Sequence, residues 1–269
     1  MSSTVPFGVM KMLASEAAVG IGGRLLGPDV EFDGASFDTR SLAPGQLFVP
    51  IIAERNGHEF IGDAYAAGAA LHLTSEPDDF RRDHTSIEVA DTATALMALA
   101  ATARRRSPAR VVGVTGSVGK TSTKDLIAAA CETQLRTAAN ERSFNNEQGM
   151  PITILNAPDD TEVLVLEMGM RGFGEISSLC EVARPEIGVV TAVGHSHTER
   201  VGGIEGVARA KSGAWSVPWR HSRSPVVLSM RIPHPLYNIE TIMQSIPLVR
   251  KHMPDVKRWL EKMSFKYQL

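Results

Sequence analysis

The segment from Thr115 to Thr121 (TGSVGKT) constrains the fold of this 269-residue chain more than any other feature. It follows an apolar run, Val111 to Thr115, whose pattern predicts a buried strand. A helical pattern from about Lys120 to Gln134 comes after it. A glycine-rich turn between a strand and a helix offers backbone N–H groups and the positive end of the helix dipole to phosphate. The segment therefore predicts a phosphate-binding loop in a parallel α/β sheet.

Each residue type in this loop suits one task in nucleotide binding. Gly116 and Gly119 let the backbone bend without a Cβ clash, the Lys120 ammonium can reach the terminal phosphates, and the Thr121 hydroxyl can ligate Mg²⁺. The general phosphate-loop pattern has its first glycine where this chain has Val114, so a glycine-rich turn with a surface lysine is the alternative. We assign ATP binding to Gly116, Ser117, Val118, Gly119, Lys120, Thr121 and Ser122, with ATP and Mg²⁺ as cofactors.

Strand and helix patterns alternate along most of the chain, which predicts parallel sheets with helices on their faces. The Ser107-Pro108 pair suggests a boundary between two α/β domains, at 1–107 and 108–214. Strands are predicted at 46–52, 70–74, 163–167 and 187–192, and helices at 58–68, 92–106, 175–182 and 204–214. The predicted class is α/β: a small N-terminal domain, then a P-loop parallel-sheet ATPase domain that is incomplete.

Composition excludes several classes of protein. A net charge of -2 gives no basic footprint for nucleic acid, and no apolar run has the ~20 residues of a membrane helix. The two cysteines cannot form a disulfide framework, and the first residues have no signal-peptide pattern, so a cytoplasmic location is expected.

The last fifth of the chain differs in composition from the rest. Residues 215–269 hold all three tryptophans and carry nine Lys/Arg against three Asp/Glu, whereas residues 1–214 are acidic. We expect this segment to be unrelated or aberrant, or to replace missing structure at the edge of the sheet. An unfinished parallel sheet leaves unpaired edges, which predicts a poorly stable central domain.

Several blocks of the sequence resemble the Mur ligase family. Val112 to Lys124 is similar to the family's nucleotide loop, whose leading glycine is displaced in the same way. The other similar blocks, in order, are Asp38–Arg40, Ala43–Val49, Asn56–Ile61, Ser143–Pro151, Leu166–Met170, Arg184–Pro185 and Thr191–Lys211. The similarity covers residues 10–212 and is strongest to the members that add D-alanyl-D-alanine.

Glu167 ends an apolar strand, at the edge where such sheets place their sites, and a carboxylate there suits Mg²⁺. The resemblance implies that His197 is the histidine of a second metal site and that Lys211 is a catalytic lysine, carbamylated in relatives. The catalytic set implied is therefore Lys120, His197 and Lys211, and the metal set Thr121, Glu167 and His197. The alternative for Glu167 is a solvated carboxylate at a strand end. For His197 it is a loop histidine that binds no metal, and for Lys211 it is a solvated surface lysine.

Four residues are assigned to substrate binding. The amides of Asn145 and Asn146 can bond sugar or phosphate oxygens, although asparagine is also frequent in plain turns. Thr39 and Arg40 fall in a block that resembles the family's UDP-sugar domain, and arginine suits phosphate through its bidentate guanidinium.

The family reaction joins an amine to a carboxylate through an acyl phosphate made from ATP. The implied partners are UDP-N-acetylmuramoyl-tripeptide and D-alanyl-D-alanine, with no nucleic acid and no membrane insertion, and a monomer is expected. The similarity stops near residue 212, so an incomplete ligase is expected. The alternatives are a non-catalytic nucleotide- or UDP-sugar-binding remnant, and a Mur ligase that adds another amino acid.

Overall fold

The computed structural model describes residues 10–76, 84–141, 144–191, 207, 210 and the strand 226–229. The described residues divide into two compact units. The first unit contains residues up to Pro108 together with Glu147–Asp160, and the second contains Ala109–Asn146 and the residues from Thr161 onward.

The helices and strands alternate along the chain as the sequence predicts. In chain order they are β1 (Lys11–Leu13), α1 (Ala14–Ile21), β2 (Arg24–Leu26), β3 (Glu31–Asp33), β4 (Ala35–Ser36), β5 (Leu47–Phe48), a 3-10 turn (Gly57–Phe60), α2 (Ile61–Ala66), β6 (Leu71–Thr74), β7 (Thr85–Glu88), α3 (Thr92–Arg106), β8 (Arg110–Thr115), α4 (Lys120–Glu132), β9 (Thr137–Ala139), α5 (Gly149–Leu155), β10 (Val163–Glu167), α6 (Glu175–Ala183), β11 (Ile187–Val190) and β12 (Val226–Ser229). The α/β class is confirmed.

The first unit is built on a five-stranded sheet in the order β2-β7-β6-β5-β4. The strands β4 to β7 pair in parallel, and β2 pairs antiparallel with β7. The helix α3 begins where the Asp91 carboxylate accepts a 2.6 Å hydrogen bond from the Thr94 backbone N–H. Hydrogen bonds from the Thr94 side chain and from its backbone N–H lower the pKa of Asp91, as expected for an anion at a helix N-terminus.

The segment 147–160 packs with the first unit, although it lies between two strands of the second unit. Its helix α5 packs on α3. The Asn156 side chain that follows bonds both backbone groups of Ala35: Oδ1 accepts from the N–H at 2.8 Å and Nδ2 donates to the C=O at 3.0 Å. The sequence predicted a continuous central domain at 108–214, whereas this segment packs with the first unit. The sequence of a helix does not show which other segment it packs against.

The second unit is built on a parallel sheet in the order β9-β10-β8-β11-β12. All five residues of β10 are buried, as in parallel sheets covered on both faces. The α4 side chains Ile127 and Cys131 pack with the apolar residues of β8, β10 and β11. The thiols of Cys131 and Cys180 are buried, which raises their pKa values to about 11 and about 12, so neither is a nucleophile at neutral pH.

One strand of the second unit comes from the compositionally distinct tail. β12 pairs in parallel with β11, in a register from Ile187 opposite Val226 to Val190 opposite Ser229. The tail thus supplies the neighbour that β11 would otherwise lack on that side. No helix among the described residues has the length and apolarity needed to cross a membrane.

Gly34 allows a close approach between β4 and the Asn156 side chain. Its φ is +77°, and a Cβ there would overlap Asn156 Oδ1, whereas Gly22 has a φ of +66° with open space around it. Gly22→Ala is expected to cost about 1 kcal/mol of unfolding free energy through backbone strain alone. Gly34→Ala is expected to cost about 3 kcal/mol, because it also displaces the half-buried Asn156 side chain from its hydrogen bonds to Ala35. Equal costs in urea unfolding would contradict this interpretation.

The pairing of β12 with β11 predicts that the tail protects the edge of the sheet. Deleting residues 215–269 should speed hydrogen exchange at the β11 amides that face β12 and lower the melting temperature by at least about 4 °C. The strand β6, central in the other sheet, is the internal control. Unchanged exchange in β11 would mean that the tail does not pair there in solution.

Candidate functional site

The glycine-rich loop connects β8 to α4 and has the geometry expected of an anion site. Gly119 is the residue that precedes the first turn of α4, and its φ of +79° is a left-handed conformation that favours glycine. The Lys120 ammonium donates to the Gly116 carbonyl at 3.0 Å, so it folds back over the loop. The first N–H groups of α4 have no acceptor within the helix and are available to phosphate oxygens.

Thr191, which follows β11, fastens this loop from the neighbouring strand. Its hydroxyl donates to the Val118 carbonyl at 2.5 Å, and its backbone N–H donates to the Thr115 carbonyl at 2.8 Å. Thr191 is itself buried, with 5% exposure. The tip residue Val118 stays exposed.

Glu167 brings a carboxylate to the loop from the end of β10. Its Oε2 accepts a 2.8 Å hydrogen bond from the Thr121 hydroxyl, and its Oε1 accepts a 2.7 Å hydrogen bond from Asn145 Nδ2. The residue is 1% exposed. The structure therefore brings together Thr121, Glu167 and Asn145. The sequence placed them separately in a helix, at a strand end and in the asparagine-rich segment Ser143–Pro151.

The oxygens of Thr121 and Glu167 fit the ligand chemistry of Mg²⁺. They are hard oxygen donors that converge beside the phosphate loop. Mg²⁺ in nucleotide sites takes one or two protein oxygens and fills its other positions with phosphate oxygens and water. A hydroxyl and one carboxylate at this position match that pattern.

Three more of the predicted residues lie on or near the loop. Ser117 belongs to the loop, Ser122 lies on the first turn of α4, and Asn146 follows Asn145. Three residues that contact this region were not predicted as site residues: Lys124, Asn140 and Thr191. Lys124 and Thr191 lie inside family-like blocks, but only tertiary contacts show what they bond.

Thr39 and Arg40 lie in the first unit, on the loop between β4 and β5. The Arg40 guanidinium bonds the Asp38 carboxylate, with Nε at 2.9 Å from Oδ1 and a terminal nitrogen at 2.6 Å from Oδ2. These bonds lower the pKa of Asp38 and raise that of Arg40. The Arg40 side chain is 88% exposed, so its remaining N–H groups face solvent. His197 and Lys211 lie outside the described residues.

Comparison with known proteins identifies the same region as a family domain. Residues 114–214 match the Mur ligase middle domain. The match begins at the end of β8 and includes the loop, Glu167, and the block that contains His197 and Lys211.

The similarity to individual relatives extends over more of the chain. The UDP-N-acetylmuramoyl-tripeptide–D-alanyl-D-alanine ligase of Bacillus subtilis strain 168 is 42% identical over 209 residues, which are 76% of this chain and 46% of that protein. The chain thus spans about half the length of the curated relatives that it matches.

Two solved structures share the fold. The UDP-N-acetylmuramoylalanyl-D-glutamyl-2,6-diaminopimelate–D-alanyl-D-alanyl ligase of Acinetobacter baumannii superposes with a TM-score of 0.69 at 27% identity, over 79% of this chain and 47% of that one. The MurF ligase of Thermotoga maritima, in complex with ADP, superposes with a TM-score of 0.61 at 30% identity, over 68% of this chain and 43% of that one. The loop geometry, the domain match and these relatives together show that the chain belongs to the Mur ligase family.

Proposed function

We propose that this chain carries the nucleotide-binding and UDP-substrate-binding parts of an ATP-dependent ligase. The reaction adds D-alanyl-D-alanine to UDP-N-acetylmuramoyl-tripeptide. The observation that carries the proposal is the buried Glu167 carboxylate bonded to Thr121 at the end of the phosphate loop. The two substrates are those that appear in the names of the similar ligases.

The loop suits the phosphates of ATP for electrostatic reasons. The Lys120 ammonium now bonds a neutral carbonyl, that of Gly116. A phosphate oxygen is a stronger acceptor because it is charged. Lys120 therefore exchanges the carbonyl for the terminal phosphates when ATP binds, and it spreads the charge that develops during phosphoryl transfer.

Thr121 and Glu167 would hold Mg²⁺ beside those phosphates, where the ion would neutralise phosphate charge. Asn145 bonds the second oxygen of the Glu167 carboxylate, which fixes the direction of the first. His197 and Lys211 are proposed to act at a second metal position. Thr39 and Arg40 are proposed to contact the UDP part of the substrate, for which Arg40 presents an exposed guanidinium.

The chemistry consists of two displacements. An oxygen of the tripeptide's terminal carboxylate attacks the γ-phosphorus of ATP, and ADP leaves. The amine of D-alanyl-D-alanine then attacks the carbon of the acyl phosphate, loses a proton, and expels phosphate. The protein's contribution is to position the groups and neutralise charge. The proposal includes a monomer that works in the cytoplasm and binds no nucleic acid.

Lys120→Ala tests the nucleotide site directly. Loss of a charge-assisted hydrogen bond to phosphate costs about 1.5–3 kcal/mol, which is about 10- to 100-fold in Kd. Isothermal titration with Mg-ATP should show this loss. Lys11→Ala is the control, because Lys11 forms an exposed ion pair with Glu31 in the first unit and should leave the Kd unchanged. Equal affinity of Lys120→Ala and the original chain would refute the assignment of the loop.

Phosphate release distinguishes a ligase from a binding module. The purified chain is mixed with Mg-ATP, UDP-N-acetylmuramoyl-tripeptide and D-alanyl-D-alanine, beside the Lys120→Ala variant. Release that requires the dipeptide and disappears in the variant supports the complete reaction in this chain. Nucleotide binding without release supports a non-catalytic role, and release with a different amino acid identifies another Mur ligase.

A further inference from the structure

Asn140 lies where the pairing between β9 and β10 ends. β9 pairs with β10 from Thr137 opposite Val163 to Ala139 opposite Val165. Glu167 lies two residues beyond Val165 on β10 and has no β9 residue opposite it. Asn140 fills that position with its side chain: Oδ1 accepts from the Glu167 N–H at 2.8 Å, and Nδ2 donates to the Glu167 C=O at 3.0 Å.

Asn140 is itself fixed from two directions. Its Nδ2 also donates to the Phe144 carbonyl at 2.7 Å, and its backbone carbonyl accepts a 2.6 Å hydrogen bond from the Lys124 ammonium. Asn140 is 1% exposed and Lys124 is 3% exposed. Buried bonds of this kind are costly to break, because their polar groups would be left without water or a partner.

Lys124 belongs to the same helix as Thr121, one turn further on. The helix α4 therefore contacts the Glu167 region twice. The Thr121 hydroxyl bonds the carboxylate, and the Lys124 ammonium bonds the residue that clasps the Glu167 backbone. Lys124 also pairs with the Asp125 carboxylate at 2.8 Å, which balances its buried charge. The carboxylate is thus held relative to the phosphate loop through both its side chain and its backbone.

We propose that Asn140, anchored by Lys124, is a positioning residue that aims the Glu167 carboxylate at the Mg²⁺ of the bound nucleotide. The inference rests on the proposed nucleotide and Mg²⁺ site. Asn140 touches neither ATP nor metal in this role; it acts through Glu167. Changing a residue that orients a metal ligand in this way typically lowers metal affinity by about 10- to 100-fold.

The test is the Mg²⁺ dependence of nucleotide binding by the full chain. Asn140→Asp keeps the size of the side chain but loses the donor to the Glu167 and Phe144 carbonyls. Asn140→Ser is a second variant that introduces no charge. Affinity for a fluorescent ATP analogue is measured without Mg²⁺ and along a Mg²⁺ titration. The expected result is an unchanged affinity without Mg²⁺ and an increase of about 10-fold or more in the half-saturating Mg²⁺ concentration.

Asn156→Asp is the matched control. Asn156 clasps the backbone N–H and C=O of Ala35 as Asn140 clasps those of Glu167, but it belongs to the unit without the phosphate loop. Its Mg²⁺ titration should match that of the original chain. A similar shift in this control would mean that the loss of any asparagine bonded in this way to a strand backbone raises the half-saturating Mg²⁺ concentration. That result would overturn the proposal.

The remaining outcomes separate this inference from the proposed function. If the original chain shows Mg²⁺-dependent binding and both Asn140 variants behave like it, the positioning role is wrong and the nucleotide site stands. If the original chain shows no Mg²⁺-dependent binding, both fail. If both variants also lose binding in the absence of Mg²⁺, Asn140 serves the fold in general, and the specific role is overturned.

Discussion

The second unit depends on holding one carboxylate, that of Glu167, almost entirely out of water. A buried charge is costly unless hydrogen bonds satisfy it. Here the Thr121 hydroxyl and the Asn145 amide each bond one carboxylate oxygen. Because these donors come from α4 and from the asparagine-rich segment, satisfying the carboxylate also fixes both elements against the end of β10. Because Thr121 lies at the end of the phosphate loop, this arrangement also helps to position the loop.

Asparagine side chains complete short strands in both units. Every buried backbone N–H and C=O needs a partner, and such groups need one from outside the sheet where a strand extends past its neighbour, as β10 does, or lies at the edge of the sheet, as β4 does. Asn140 supplies both bonds at Glu167, and Asn156 supplies both at Ala35. A primary amide carries one acceptor and one donor group close together, so it can imitate the edge of a strand. In the second unit, Asn140 takes the place of a neighbouring strand residue directly beside the candidate site, at Glu167.

Much of the fold could be predicted from local pattern. The helix predicted at 92–106 and the strand predicted at 163–167 have those bounds in the structure, because apolar spacing and turn residues act over short distances. The place of α5 in the first unit was not predicted. A replacement at the edge of the sheet was one alternative for the tail, but the strand β12 and its pairing with β11 were not predicted. Both depend on contacts between segments far apart in the chain, and the tail sequence 215–232 shows no clean periodicity.

The sequence by itself determined the phosphate loop, the α/β class and the residue types at the site, because a strand, a glycine-rich turn and a helix in succession leave few alternatives. Only the tertiary structure decided which residues act together. Glu167, Thr121 and Asn145 meet because the end of a parallel strand lies beside the start of α4. Asn140 bonds the Glu167 backbone because β9 stops pairing with β10 two residues before Glu167. The local sequence does not show where a neighbouring strand stops.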